Sequence, residues 1–441
     1  MEYTYPRSSH CPEEVASTDV CLAVGARART GCATAEITTQ TDKYVDTDLV
    51  AMWPGVQSGI DVLLRDRIDL LERKRVGLIT NHTGVTASLE WTVDVLHKHP
   101  GVNLTCLFGP EHGIRGDVRE AHRVDSFTDA RTELQVHSLS GYGENTEPTP
   151  DMMRGIDALV YDIQDVGARY YTYIATMNRS MKAAAEQDKE FILLDRPNPI
   201  TGTAVEGNVL EERYRSFVGE REIPIRYGMT SGELAQMFNK EYRIGCRLTV
   251  VKAKGWRRKM WYDETGLPWV SPSPNIPTLD TATVYPGTCL FEGLNVSEGR
   301  GTTRPFETVG APWIDGFELR RKLVEERLPG VGFRGLHFTP TSGKFAGETC
   351  GGVQLHIHDR DKFRPVLTGL KMIKAIVDLF PSKIEFREGW KAEDFSFDLL
   401  AGTSTIREKL LAGVEPEEIE KGWTGDLRAF QTKREKYLLY S

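Results

Sequence analysis

The chain has 441 residues, of which 40% are hydrophobic and 27% charged, and carries a net charge of -8 at pH 7. This is the composition of an ordinary globular protein with room for two or three domains, and its acidic balance argues against nucleic acid or an anionic membrane as the main partner. No apolar run approaches the roughly 18 residues of a membrane span, and the seven Cys residues lack CxxC or zinc spacing, which predicts free thiols.

Residues 1–52, which include Cys11, Cys21 and Cys32, lack the rhythm of apolar runs and turns seen later, and are expected to form an irregular N-terminal extension. Their one apolar piece, Val20 to Ala26, follows Glu13, Glu14 and Asp19 rather than a basic stretch. It reads poorly as a secretory signal, so a cytoplasmic location is expected, with secretion as the alternative.

From Gly59 the chain alternates strand-like and helix-like segments. Arg75 to Thr80 (RVGLIT) reads as a strand ending in the turn Asn81-His82-Thr83-Gly84, and Ser88 to His97 has helical spacing with Leu89, Val93 and Leu96 on one face. Strands follow at Val102 to Leu107 and Asp157 to Ile163, then a helix from Tyr173 to Gln187, then strands at Phe191 to Leu194 and Arg247 to Ala253. Repeated β-loop-α units predict an α/β domain over residues 53–267, with a Rossmann-like, largely parallel sheet and helices on both faces. It carries no GxGxxG, Walker A, GxSxG or HExxH motif. Trp269 to Pro277 is a proline-interrupted connector. Helical spacing at Phe317 to Leu328 and Val366 to Phe380, with alternation at Gly352 to His358, predicts a smaller α+β domain over 268–441. A cleft between the two is the expected ligand site.

The polar residues gather where predicted strands end. Leu107 to Gly116 (LFGPEHGIRG) sets Glu111, His112 and Arg115 in one glycine-rich turn, at the strand end where open α/β sheets bind ligands. Tyr161 to Tyr173 (YDIQDVGARYYTY) combines Asp162, Gln164, Asp165 and Arg169 with Tyr171 and Tyr173, and Asp195-Arg196-Pro197-Asn198-Pro199 follows the next strand. Aromatic faces beside Asp, Asn, Gln and Arg suit sugars, covering C–H faces and bonding hydroxyls. At the domain junction, Phe291 to Phe306 carries Glu292, Asn295, Glu298, Arg300 and Thr302 among glycine and proline breaks. Each set has a plainer structural alternative: Asp165 as a helix cap, the arginines in ion pairs, the junction as a hinge.

Together the motifs GLITNHTG (77–84), FGPEHGIRG (108–116), YDIQDVGARYYTY (161–173), DRPNP (195–199) and EGLNVSEGRGT (292–302) resemble those of the NamZ exo-β-N-acetylmuramidases, a bacterial glycoside hydrolase family. The likeness runs from about Val56 to the C-terminus. It implies a Rossmann-like domain with a smaller C-terminal domain, an active site in the cleft between them, and release of N-acetylmuramic acid from non-reducing ends of peptidoglycan fragments. The segment before Trp53 departs from the family pattern, in which many members carry a secretion signal.

The resemblance carries the catalytic acid onto Glu111. Protonating a departing glycosidic oxygen near neutral pH needs a carboxyl in apolar or acidic surroundings, which Phe108 and Pro110 can provide. The opposing carboxylate is open among Asp162, Asp165, Glu292 and Glu298, with Asp165 and Glu298 foremost. The lactyl carboxylate of muramic acid calls for a cation, for which Arg115, Arg169, Arg196 and Arg300 are the candidates. Asn81, His112, Gln164, Tyr171, Tyr173, Asp195, Asn198, Asn295 and Thr302 complete the expected sugar-binding set. No cofactor or metal is expected. A metallohydrolase built on His112, His356 and His358 lacks a carboxylate ligand nearby in sequence, and a non-catalytic sugar or nucleotide binder is the other rival.

Overall fold

Continuous burial marks the central strands. In the computed structural model, which describes residues 55–116, 126–139, 146–389 and 395–441, Val76 to Thr80 and Ala158 to Asp162 are buried without a break. Strands covered on both faces read as unbroken apolar runs, which is why these segments stood out in the sequence. The expectations for residues 1–52 lie outside the described residues.

The first part of the chain runs α1 (Gly59–Asp66), β1 (Arg75–Thr80), α2 (Thr92–Lys98), β2 (Asn103–Gly109), β3 (Phe127–Thr128), β4 (Gln135–Ser138), β5 (Ala158–Asp162), α3 (Tyr173–Glu186) and β6 (Glu190–Leu194). It continues with the hairpin β7 (Glu206–Val209) and β8 (Pro224–Arg226), then α4 (Ser231–Glu241) and β9 (Arg247–Val251). Seven of these strands form one sheet in the order β3-β4-β2-β1-β5-β6-β9, parallel except where β3 pairs with β4. The chain winds outward from β1 through β2 and then returns to β5 on the other side. Loops after β1, β2 and β5 therefore meet at a topological switch point, where such sheets open a crevice beyond their carboxyl ends.

The expected helix from Ser88 starts instead at Thr92. Residues 85–91 close a tight loop through Thr86 N to Glu90 O at 2.8 Å, and Leu89, at φ 67° and 53% exposed, points away from the core.

Beyond the connector come α5 (Leu279–Thr288), β10 (Thr308–Ala311), α6 (Gly316–Glu325), β11 (Val331–Phe338), β12 (Cys350–Ile357) and α7 (Pro365–Leu379). Four short helices finish the chain: α8 (Ser396–Ala401), α9 (Thr405–Leu411), α10 (Pro416–Lys421) and α11 (Thr424–Arg434). The strands β10, β12 and β11 form an antiparallel sheet with β12 in the middle. Helices α5 and α7 touch through glycines, since a Cβ on Gly287 would strike the Pro365 carbonyl and one on Gly369 the Gly287 carbonyl. All described cysteines, Cys106, Cys246, Cys289 and Cys350, are free and buried. Among the described residues no helix is long and apolar enough to cross a membrane.

Candidate active site

The turn after β2 positions Glu111. Gly113 N donates to Pro110 O at 3.0 Å, and the buried His112 holds φ 73°. A left-handed non-glycine residue costs on the order of 1 kcal/mol or more, and such strain is commonly held where a site needs it. The half-buried Glu111 accepts a hydrogen bond from Thr172 Oγ1 at 3.0 Å.

Thr172 belongs to the loop after β5, which supplies a layer of aromatic rings. Tyr170 donates to Pro286 O at 2.6 Å and Tyr173 to Pro272 O at 2.9 Å, so both phenols are tied to the segment that follows the sheet domain. Tyr171 stands edge-on to Tyr173 at 5.0 Å and to Tyr285 at 5.8 Å. Burial pushes its phenol well above the ordinary range, with the Ser273 hydroxyl acting the other way. A neutral, rigid aromatic wall results.

Further lining comes from the end of α5 onward. Its loop doubles back at Gly299 and Gly301, at φ 82° and 78°, a region glycine enters without penalty. Glu298, 4% exposed, meets Lys344 Nζ at 3.0 Å and Arg300 Nε at 3.4 Å, while Arg300 also reaches Glu292 at 2.8 Å. Lys344 lies on the β11–β12 connection, which Thr341 N clips to Gly301 O at 2.9 Å. It also donates to the carbonyls of Phe291, Glu292 and Val296 at 2.7, 3.2 and 3.0 Å. Burial draws its pKa below the ordinary lysine value, opposed mainly by Glu298.

These two sets of side chains enclose a cleft of about 710 Å³, within the usual range for a small-ligand site. Glu111, His112, Tyr171, Tyr173, Glu292, Glu298 and Arg300 line it, together with residues that sequence reasoning missed, notably Tyr285, Lys344 and Arg387. The cleft thus gathers side chains from both sides of the connector.

The other expected site residues are placed elsewhere. Asp162 is fully buried under Arg196 (2.6 and 2.8 Å) and Thr92 Oγ1 (2.6 Å), a closed structural cluster. Asp165 accepts from Gly167 N at 2.8 Å and from the Tyr227 hydroxyl, and burial pushes it up to about 6. It does not line the cleft. Arg115 is shared by Asp94 at 3.0 Å and Asp129 at 2.9 Å. Arg169, 1% exposed, donates to the carbonyls of Asn208 and Ile223 at 2.8 Å and Ala401 at 2.7 Å, and burial lowers it to about 10. Of the four candidate arginines, only Arg300 faces the cleft.

The amides and the remaining carboxylate serve loop geometry. Asn81 Oδ1 accepts from Thr83 N at 2.9 Å, Gln164 Nε2 donates to Pro197 O at 2.8 Å, and Asn198 Nδ2 to Met229 O at 2.8 Å. Asp195 accepts from Gly232 N at 2.8 Å and Tyr440 OH at 2.6 Å. Asn295 spans Lys383 O and Glu385 N, both at 2.8 Å, and Thr302 Oγ1 donates to Gly299 O at 2.6 Å. His356 and His358 are exposed near the end of β12, and among the described residues no three potential metal ligands converge.

Two family models cover most of the chain: the N-terminal part of exo-β-N-acetylmuramidase NamZ over residues 76–280 and its C-terminal part over 283–440. The chain belongs to the NamZ family. It is 51% identical over 387 residues to the peptidoglycan β-N-acetylmuramidase NamZ of Bacillus subtilis (strain 168), covering 88% of this chain and 92% of that protein. Crystal structures of two DUF1343 family proteins from Bacteroides fragilis NCTC 9343 share the NamZ-family fold seen here. They match with TM-scores of 0.80 and 0.69 at 43% and 32% identity, each over 88% of this chain and 99% of the other. The Rossmann-like sheet and the C-terminal layer expected from the sequence are thus those of the NamZ family, and the junction of its two models, between residues 280 and 283, falls in the first turn of α5.

Proposed function

We propose that this protein is an exo-acting β-N-acetylmuramidase that releases N-acetylmuramic acid from non-reducing ends of peptidoglycan fragments. The observation that carries the reading is that two carboxylates, Glu111 and Glu298, line one tyrosine-bearing cleft, in a chain half identical to a peptidoglycan β-N-acetylmuramidase. Residues 53–267 then act as the acid-bearing half and 268–441 as the half that supplies the second carboxylate.

In this reading Glu111 protonates the departing glycosidic oxygen, held toward it by Thr172. As the bond breaks, positive charge grows on the ring oxygen and anomeric carbon. Glu298, in its ion pairs with Lys344 and Arg300, is the anion that faces that charge, either by attacking the anomeric carbon or by taking a proton from an attacking water. The tyrosines cover the C–H faces of the ring and keep bulk water away. The chemistry needs no cofactor or metal. The cytoplasmic location expected from the sequence belongs to the proposal, and fractionation of native cells checks it.

The test is hydrolysis of a chromogenic β-N-acetylmuramide against the matching β-N-acetylglucosaminide. Strong preference for the muramide, undiminished by EDTA, is expected. Equal rates would remove the muramic-acid assignment, loss with EDTA would favour a metallohydrolase, and no turnover of either would leave a binding protein.

A further inference from the structure

The wall that carries Glu298 holds one cation more than its carboxylates balance. Arg300 and Lys344 are engaged with Glu292 and Glu298. Arg387 lines the same cleft, yet among the described residues its guanidinium makes no hydrogen bond or ion pair. It is exposed, so water solvates it when the cleft is empty.

Its main chain, by contrast, is fixed on both sides. Arg387 N donates to Gly293 O at 2.9 Å, and Ser396 N donates to Arg387 O at 3.0 Å. One residue earlier, Phe386 pairs with Leu294, and its ring packs edge-on against Phe397 at 5.0 Å. Asn295 N donates to Glu385 O at 3.0 Å, and the Asn295 side chain clips the segment at Lys383 and Glu385. The segment is therefore moored directly beside the turn that bears Glu292. Its charge is felt inside the cleft, since Arg387 is one of the groups that lower the proton affinity of Lys344.

A moored backbone with a solvated, uncommitted guanidinium at a saccharide cleft is suited to a ligand carboxylate. The planar fork can grip one with two parallel hydrogen bonds, and no protein ion pair has to be broken first. Arg300 would have to give up Glu292 or Glu298 to do the same. We propose that Arg387 is the specificity-determining residue that receives a substrate carboxylate: that of the lactyl ether or, where a peptide stem occupies that group, a carboxylate of the stem. The proposal rests on the muramidase reading above.

The test is calorimetric titration of the full chain and of Arg387→Gln with N-acetylmuramic acid, its lactyl carboxamide, a muramoyl dipeptide and N-acetylglucosamine. Wild type is expected to bind muramic acid at least about tenfold more tightly than the carboxamide, the size of one charge-assisted hydrogen bond. Arg387→Gln should erase that difference while binding the carboxamide as wild type does, and Arg387→Lys should restore only part of it. On a chromogenic muramide the loss should fall on KM with kcat kept. A loss confined to free muramic acid assigns the guanidinium to the lactyl carboxylate, and one confined to the dipeptide assigns it to the stem. Equal weakening of every ligand, or wild-type affinity of Arg387→Gln for both muramic acid and the dipeptide, overturns the proposal while leaving the muramidase reading intact. If wild type neither binds nor cleaves a muramide, both fall together.

Discussion

Lys344 Nζ lies 3.0 Å from the Glu298 carboxylate while donating to three main-chain carbonyls of the segment 291–296 that precedes it. One ammonium thus sets both the direction of the carboxylate and the shape of the turn that presents it.

Lys344→Met keeps the length of the stem and deletes those bonds. A hydrogen bond to a charged group is worth about 1.5–3 kcal/mol, so a fall in kcat of about tenfold or more is expected, with a lower melting temperature. Steady-state kinetics beside a thermal melt checks it. A kcat equal to wild type would show that Arg300 alone suffices to hold Glu298.

Glu111→Gln fills the same space and can still accept from Thr172, so the variant should fold normally. It cannot donate a proton. The loss on a natural disaccharide should be about 10² to 10⁴-fold, the usual share of general acid catalysis. An activated aryl leaving group, which needs little protonation, should recover part of it. Retention of more than about a tenth of the activity, far above that range, would make Glu111 a binding residue.

Asp165 gives a prediction about stability against pH. Burial raises its pKa in the folded protein to about 6 from an ordinary 3.8, so the folded state holds the proton more tightly than the unfolded one. The linked stabilisation is complete below about pH 4 and is lost as pH rises through about 6, on the order of 3 kcal/mol for a shift of about two units. Denaturant unfolding at pH 4.5, 6 and 7.5 should show this fall, which Asp165→Asn should flatten. Asp195, likewise pushed up to about 6 by burial, retains its own share. A slope unchanged in Asp165→Asn would contradict the assignment.

Gly287→Ala places a methyl where the Pro365 carbonyl already sits, at the crossing of α5 and α7. Overpacking of this kind costs about 1–3 kcal/mol or more. Because α5 carries Tyr285 and leads into Cys289, both lining the cleft, activity should drop along with the melting temperature. Differential scanning calorimetry and kinetics on the same preparation check both.

The sequence made the central sheet legible because strands buried on both faces spell out uninterrupted apolar runs, as Val160 and its neighbours do. The Glu111 turn was legible because a strand end, glycines and a carboxylate are local features. Arg115, Arg169 and Arg196 lie outside the cleft lining for a different reason: what an arginine pairs with is set by tertiary contact. Asp129 meets Arg115 from 14 residues along the chain, and the Ala401 carbonyl meets Arg169 from 232 residues away. Lys344 and Arg387 sit in polar loops with no local sign of function. Only the pairing of 383–387 with 293–295 and the clipping of the β11–β12 connection bring them to the cleft. Asp195 and Asn198 looked like ligands since the same groups that bind hydroxyls also satisfy backbone amides in tight loops.

Arg169 has a mechanical consequence. Its guanidinium joins the loop after β5 to the carbonyl end of α8, beneath a cleft whose walls those two elements supply. Gly402 leaves room for it, since a Cβ there would press on the guanidinium. Swinging the walls apart would strip a buried cation of its two α8 acceptors, Leu400 O and Ala401 O, so the molecule works as a vice with fixed jaws. Sugar chains enter by threading an end into a gap that is already set, and scattering profiles with and without bound product should superimpose.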